Sequence, residues 1–215
     1  MESRHRPKIL IADDHTLVAE ACKNLLEPEF EVVGIVADGR ALLKAAAELK
    51  PDVVIVDIAM PQLNGLDAGE QLKQKNRALK VVYLTMNNRP DVAAEAFRRG
   101  ASAYVLKHCT ADELTIAVRR ILRGESYLSP LITKDTVEFL LRSGTPFTEE
   151  KRISSRQSEV LQLLAEGKSM KEIAYILQLK PGTVAFHKYR IMEVLDLKSN
   201  AELIEYALRH HMIAD

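Results

Sequence analysis

Val53-Val54-Ile55-Val56-Asp57-Ile58-Ala59-Met60-Pro61 decides the fold: four β-branched residues in a row run into a carboxylate, and a proline follows shortly after. An apolar run without in/out alternation is the pattern of a strand covered on both faces, as in a parallel sheet. Four similar runs surround it: Ile9-Leu10-Ile11-Ala12, Val32-Val33-Gly34-Ile35-Val36, Val81-Val82-Tyr83-Leu84 and Ala103-Tyr104-Val105-Leu106. Between the runs, residues 15–26, 40–49, 66–76, 91–99 and 111–123 carry helical periodicity without internal proline. Five strands alternating with five helices predict an α/β domain over 7–124, doubly wound around a five-stranded parallel sheet.

The pattern changes after Gly124. Ser129-Pro130 reads as a helix cap followed by proline at the first helical position, which predicts a helix over 129–142. Breakers and charges at 143–152 complete a partly helical linker over 125–152. From 153 to 215 all periodicity is helical, in four pieces near 155–166, 170–178, 182–195 and 200–211, so a small all-α four-helix domain follows.

Composition excludes more than it suggests. Lys plus Arg and Asp plus Glu both number 30, so net charge names no partner. Residues 1–150 hold 20 basic and 22 acidic side chains and 151–215 hold 10 and 8, an asymmetry that permits nucleic-acid binding without arguing for it. Cys22 and Cys109 lie far apart, with neither zinc spacing nor a disulfide framework. Residues 1–7 lack an apolar signal core, and no apolar run approaches the ~20 residues needed to cross a bilayer. A cytoplasmic protein without membrane contact is expected.

In a doubly wound sheet, ligands bind beyond the carboxyl ends of the strands, so residues that follow each run share one rim. Those residues are Asp13-Asp14, Asp57, Thr85 and Lys107. Three converging carboxylates repel one another unless a cation joins them, and hard oxygen ligands favour Mg²⁺. Lys107 and Thr85 supply an ammonium and a hydroxyl suited to a phosphoryl group. Asp57 among them has the surroundings of a nucleophile toward a phosphoryl donor.

Asp13-Asp14, the D-x-x-M-P-x-x-x-G segment at 57–65, Thr85 and Lys107 resemble the receiver domain of two-component response regulators, a flavodoxin-like fold. The resemblance implies Asp57 as phosphoacceptor from a histidine kinase, with Thr85 and Lys107 on the phosphoryl oxygens. It also implies Mg²⁺ held by Asp14, Asp57 and the Ala59 carbonyl, with Asp13 close by, and Tyr104 as the aromatic switch that responds together with Thr85. His108 after Lys107 departs from the proline common there. Ala59 and Asn87 stand where polar side chains often tune dephosphorylation.

In the helical unit, Ile173, Ala174 and Leu177 form one stripe, and Lys180-Pro181-Gly182 leads tightly into a second helix whose buried stripe is Val184, Ile191, Val194 and Leu195. Two short helices so joined predict a helix-turn-helix. Lys180, Thr183, Ala185, Phe186, Lys188, Tyr189 and Arg190 remain for double-stranded DNA, the cations for phosphates and the others for base edges. Residues 156–161, 167–174, 183–187 and 202–207 resemble the LuxR-type helix-turn-helix. Joined to a receiver, this indicates the NarL/FixJ family, in which the last helix commonly forms the dimer contact and the receiver blocks the recognition helix until it is phosphorylated. Against that pattern Gln157 replaces a glutamate, Lys180 a capping residue, Ala185 a lysine and Glu193 a basic residue. The expected function is a phosphorylation-switched transcription regulator and homodimer, not an enzyme. Two alternatives are an atypical regulator that binds DNA constitutively and a Mg²⁺-dependent phosphohydrolase passing through an aspartyl-phosphate.

Overall fold

The structure, a computed structural model, describes residues 6–108, 110–132, 153–210 and 212–213. Strands β1 (Lys8–Ala12), β2 (Glu31–Val36), β3 (Val53–Val56), β4 (Lys80–Thr85), β5 (Ala103–Leu106) and β6 (Tyr127–Leu128) form one sheet in the order β2-β1-β3-β4-β5-β6, with every pairing parallel. Helices α1 (Thr16–Leu26), α2 (Gly39–Leu49), α3 (Gly65–Lys75), α4 (Pro90–Arg98) and α5 (Ala111–Leu122) alternate with the first five strands. The strand order turns back between β1 and β3, which opens the crevice where β1, β3, β4 and β5 end.

Period-2 geometry divides each strand between two apolar layers. Leu10, Val54, Val56, Val81, Tyr83 and Tyr104 pack with Leu42, Leu66, Leu72 and Ala93. Ile9, Ile11, Val53, Ile55, Val82 and Val105 pack on the other face with Ala19, Cys22, Leu114 and Ile121. Sheet and helices thus place the ends of β1, β3, β4 and β5 in register: Ala12 pairs with Val56, and Thr85 with Leu106.

Two features differ from the sequence expectation. A sixth strand extends the sheet beyond β5, where Tyr127 pairs with Ala103 and Leu128 with Tyr104. Two residues are too few for periodicity to register. In addition, β2 is an edge strand and only half-buried, although its run reads as fully covered. Residues 130–132 begin a helical turn as Ser129-Pro130 predicts; the remainder of the expected helix to 142 lies outside the described residues.

The second unit consists of α6 (Ser155–Ala165), α7 (Met170–Leu177), α8 (Pro181–Leu195) and α9 (Asn200–Arg209) around Val160, Leu161, Ile173, Leu177, Val184, Ile191 and Leu203. Ser154 with Gln157 and Ser169 with Glu172 form reciprocal capping boxes. Gln157 therefore does the work expected of a glutamate. Lys180 gives α8 no side-chain cap, and Pro181 at the first helical position needs no N–H partner.

Candidate functional site

The β3 terminus fixes Asp57: its N–H donates to the Ala12 carbonyl at 2.8 Å, beside Asp13. Asp13 and Asp57 are 3% and 4% exposed, so their charges require partners. Lys107, next after β5, supplies one, with Nζ 2.8 Å from both Asp13 Oδ2 and Asp57 Oδ2. The cation that the sequence requires among the carboxylates is thus partly intramolecular. Burial lowers the Lys107 pKa, but the close carboxylates of Asp13 and Asp57 outweigh it, and the ammonium titrates above its ordinary range.

Burial also pushes the Asp57 carboxyl up, only partly offset by Lys107 and the Ala59 N–H. A charged group whose folded pKa lies above its ordinary value of 3.8 opposes folding wherever it is ionised. That penalty is complete above the raised folded value and vanishes as pH falls below 3.8. Asp57→Asn is therefore expected to stabilise the chain near neutrality and to raise its melting temperature there. The advantage shrinks on acidification. Metal-free melting curves of both proteins across this range check it, and a shift independent of pH would contradict the assignment.

The remaining strand ends complete the crevice. Thr85, 3% exposed, accepts from the Asn87 N–H through Oγ1 at 3.1 Å, and the fully buried Tyr104 donates its hydroxyl to the Asn87 carbonyl at 2.8 Å. The two residues singled out as a switch therefore grip one loop residue from opposite sides. Burial raises the Tyr104 pKa, so its hydroxyl stays a donor.

Asp13, Asp14, His15 and Asp57 each offer a ligand atom, and these atoms all lie within 4.8 Å of one another. His15 was not singled out by the sequence; its Nδ1 lies 2.9 Å from Asp14 Oδ1 and 3.3 Å from Asp13 Oδ1. The donor set fits Mg²⁺: three carboxylates in one crevice, of which Asp13 Oδ2 has no aligned hydrogen-bond donor despite the neighbouring ammonium.

The helical unit presents a second candidate surface along α8. Phe186 and Tyr189 are 65% and 66% exposed, and Lys180 and Arg190 are exposed beside them. Thr183, Ala185 and Lys188 are half-buried. Arg190 Nη1 pairs with Glu193 Oε2 at 2.5 Å, which offsets its charge toward an anion. Exposed aromatics of this size on one helix face are poorly explained by packing. Hydrogen bonds from α6 join the helical unit to the first domain: Arg40 to Glu159 at 2.7 Å, Ser158 to Asp67 at 2.5 Å and Gln162 to the Met60 carbonyl at 2.9 Å. Phe186 and Tyr189 are therefore not covered by the first domain.

Sequence reasoning missed this junction, and Asp67 with it. Asp67 lies in the first turn of α3, receives Asn64 Nδ2 and Ser158 Oγ on one oxygen and pairs with Arg99 at 2.6 Å through the other. Its local signal, an acid three residues after Asn64, is that of an ordinary capped helix start.

Comparison with known proteins agrees with this geometry. Residues 9–119 match the family described as response regulator receiver domain, and residues 151–207 match bacterial regulatory proteins, luxR family. The oxygen regulatory protein NreC of Staphylococcus haemolyticus is 36% identical over 217 residues, spanning 96% of this chain and 99% of the relative. Among solved structures, RcsB of Salmonella enterica serovar Typhimurium bound to a promoter in the presence of phosphomimetic BeF3⁻ is 28% identical, with a TM-score of 0.59 over 94% of this chain and 97% of that one. A structure of two RcsB dimers on two parallel DNAs gives 27% and 0.58 over 94% and 97%. Receiver, helical unit and near full-length relatives agree, and the chain belongs to the two-component response regulators that join a receiver domain to a LuxR-type DNA-binding domain.

Proposed function

We propose that Asp57 accepts a phosphoryl group from a histidine kinase and that its phosphorylation controls sequence-specific binding of the helical unit to double-stranded DNA. The observation that carries this reading is the convergence of Asp13, Asp57 and Lys107 at 2.8 Å contacts on one crevice. An Asp57 carboxylate oxygen attacks phosphorus, the phosphorus–nitrogen bond of the donor histidine breaks, and an acyl phosphate results. Lys107 then transfers its ammonium from the carboxylate to a phosphoryl oxygen, and the Thr85 hydroxyl donates to another. Asp13, Asp14, Asp57 and the Ala59 carbonyl would hold Mg²⁺, which neutralises charge on the transferred group. Movement of Thr85 reaches Tyr104 through their common partner Asn87.

In this reading the receiver spans 7–124, a linker 125–152 and the DNA-binding unit 153–215. Lys180, Lys188 and Arg190 meet backbone phosphates; Thr183, Ala185, Phe186 and Tyr189 face the groove. The chain acts as a homodimer on DNA, as the RcsB dimers do. Its place is the cytoplasm; no helix among the described residues is long and apolar enough to cross a membrane. It is a regulator without a metabolic substrate, and Ala59 leaves no side-chain acid two residues beyond Asp57 to speed hydrolysis.

Intact mass after incubation with Mg²⁺ and acetyl phosphate tests the reading. Wild type gains one phosphoryl group and Asp57→Asn gains none. Equal gain in both, or no gain without donor consumption, would remove Asp57 as the acceptor and favour constitutive DNA binding.

A further inference from the structure

Gln162 is a polar side chain at the centre of α6, and it is completely buried. Its Oε1 accepts from the Asn64 N–H at 2.7 Å and from Asn64 Nδ2 at 3.2 Å; its Nε2 donates to the Met60 carbonyl at 2.9 Å and to Glu166 Oε1 at 2.9 Å. Glu166 Oε1 also accepts from the Gln62 N–H at 2.8 Å. Two side chains of the helical unit thus hold alternate residues of the loop between Asp57 and α3.

The loop carries the acceptor site. Ala59, whose N–H supports the Asp57 carboxylate, lies immediately before Met60. On its far side the loop has no slack: the Gly65 N–H donates to the Ile58 carbonyl at 2.8 Å, and a Cβ on Gly65 would stand 2.0 Å from the Asp57 carbonyl oxygen. Adjustment to a new group on Asp57 therefore falls on residues 59–63, the stretch that Gln162 and Glu166 hold.

We propose that Gln162 is a positioning residue for the phosphoacceptor site, contributed by the DNA-binding unit, and that its grip on the loop opposes loading of Asp57. This rests on Asp57 being the acceptor. Because such coupling is reciprocal, loading of Asp57 loosens the docked helical unit to the same extent that docking hinders loading. The effect is separate from occlusion of the DNA-reading face, where Phe186 and Tyr189 are already exposed.

Gln162→Met in the full-length chain keeps the side-chain length and removes the four hydrogen bonds. Its phosphorylation by acetyl phosphate with Mg²⁺ is expected to run about 5-fold faster than wild type, at the lower edge of common coupling strengths. Hydrogen exchange at the Gln62 and Asn64 amides, measured without metal or donor, is expected to accelerate, and beryllofluoride on wild type should produce the same acceleration. Circular dichroism verifies that the variant is folded; if it is not, the beryllofluoride arm on wild type decides alone. An unchanged or slower rate in a folded variant, or loop amides that remain protected in either arm, overturns the proposal. A wild type that takes no phosphoryl group removes the acceptor reading instead, whereas a phosphorylated wild type with an unaltered Gln162→Met rate removes this proposal alone.

Discussion

Lys107→Met is expected to lower stability by roughly 3–5 kcal/mol in metal-free buffer, the range seen when one partner of a buried ion pair is removed. The Lys107 side chain is 7% exposed and lies 2.8 Å from two carboxylates that are themselves 2% and 5% exposed. Without the ammonium, Asp13 and Asp57 face one another with no cation from the protein. Two further results follow from that geometry. Added Mg²⁺ stabilises Lys107→Met much more than wild type, because in wild type the ion competes with a cation already in place. Asp57→Asn then rescues Lys107→Met by more than it stabilises wild type, since the two positions share one interaction and cannot be additive. Urea unfolding of the four proteins, with EDTA and with Mg²⁺, measures all of this. A Lys107→Met protein as stable as wild type in EDTA would show that the carboxylates find protons or water instead, and that the ammonium is not what holds the crevice together.

The crevice was legible in the sequence because its chemistry sits at positions the fold makes equivalent. Four residues that follow apolar runs, Asp13, Asp57, Thr85 and Lys107, need only a parallel sheet to meet, and the runs themselves announce that sheet. The stripe of Ile173, Ala174 and Leu177 was legible for the corresponding reason, helical period against one core. Other features carry no local signature. Tyr127 and Leu128 form a strand only because β5 offers an open edge. Ser158, Gln162 and Glu166 have the composition of a solvated helix face, and the residues they meet, 67, 60 and 62, lie about a hundred positions away. Burial of Gln162 is invisible to periodicity, since a buried amide with all its partners and an exposed one occupy the same helical position. Exposure of Phe186 and Tyr189 is a matter of which faces dock, which helical period does not encode.

Gly65→Ala is expected to cost about 3 kcal/mol, at the upper part of the range for overpacking a closed site, and to slow phosphoryl acceptance in the molecules that remain folded. A Cβ there would stand 2.0 Å from the Asp57 carbonyl oxygen and 2.9 Å from both the Asp57 carbonyl carbon and Val56 Cγ1. Two of these atoms are backbone, so no side-chain rotation relieves the clash; the start of α3 or the end of β3 has to move. Backbone conformation is not the reason for glycine here, because the φ of Gly65 is not positive. The requirement is close approach, which the Gly65 N–H to Ile58 carbonyl bond at 2.8 Å enforces. Gly182→Ala supplies the contrast. A Cβ at Gly182 meets nothing within 4 Å, and its φ is also not positive, so the substitution is expected to be neutral or to stabilise α8 by up to ~1 kcal/mol through lost unfolded-state entropy. Urea melts of both variants, followed by the acetyl phosphate rate under conditions where each is folded, separate the two effects. A Gly65→Ala chain within ~0.5 kcal/mol of wild type would mean that β3 and α3 can part without cost, and the Asp57 carboxylate would then owe its position to Lys107 rather than to the helix packed behind it.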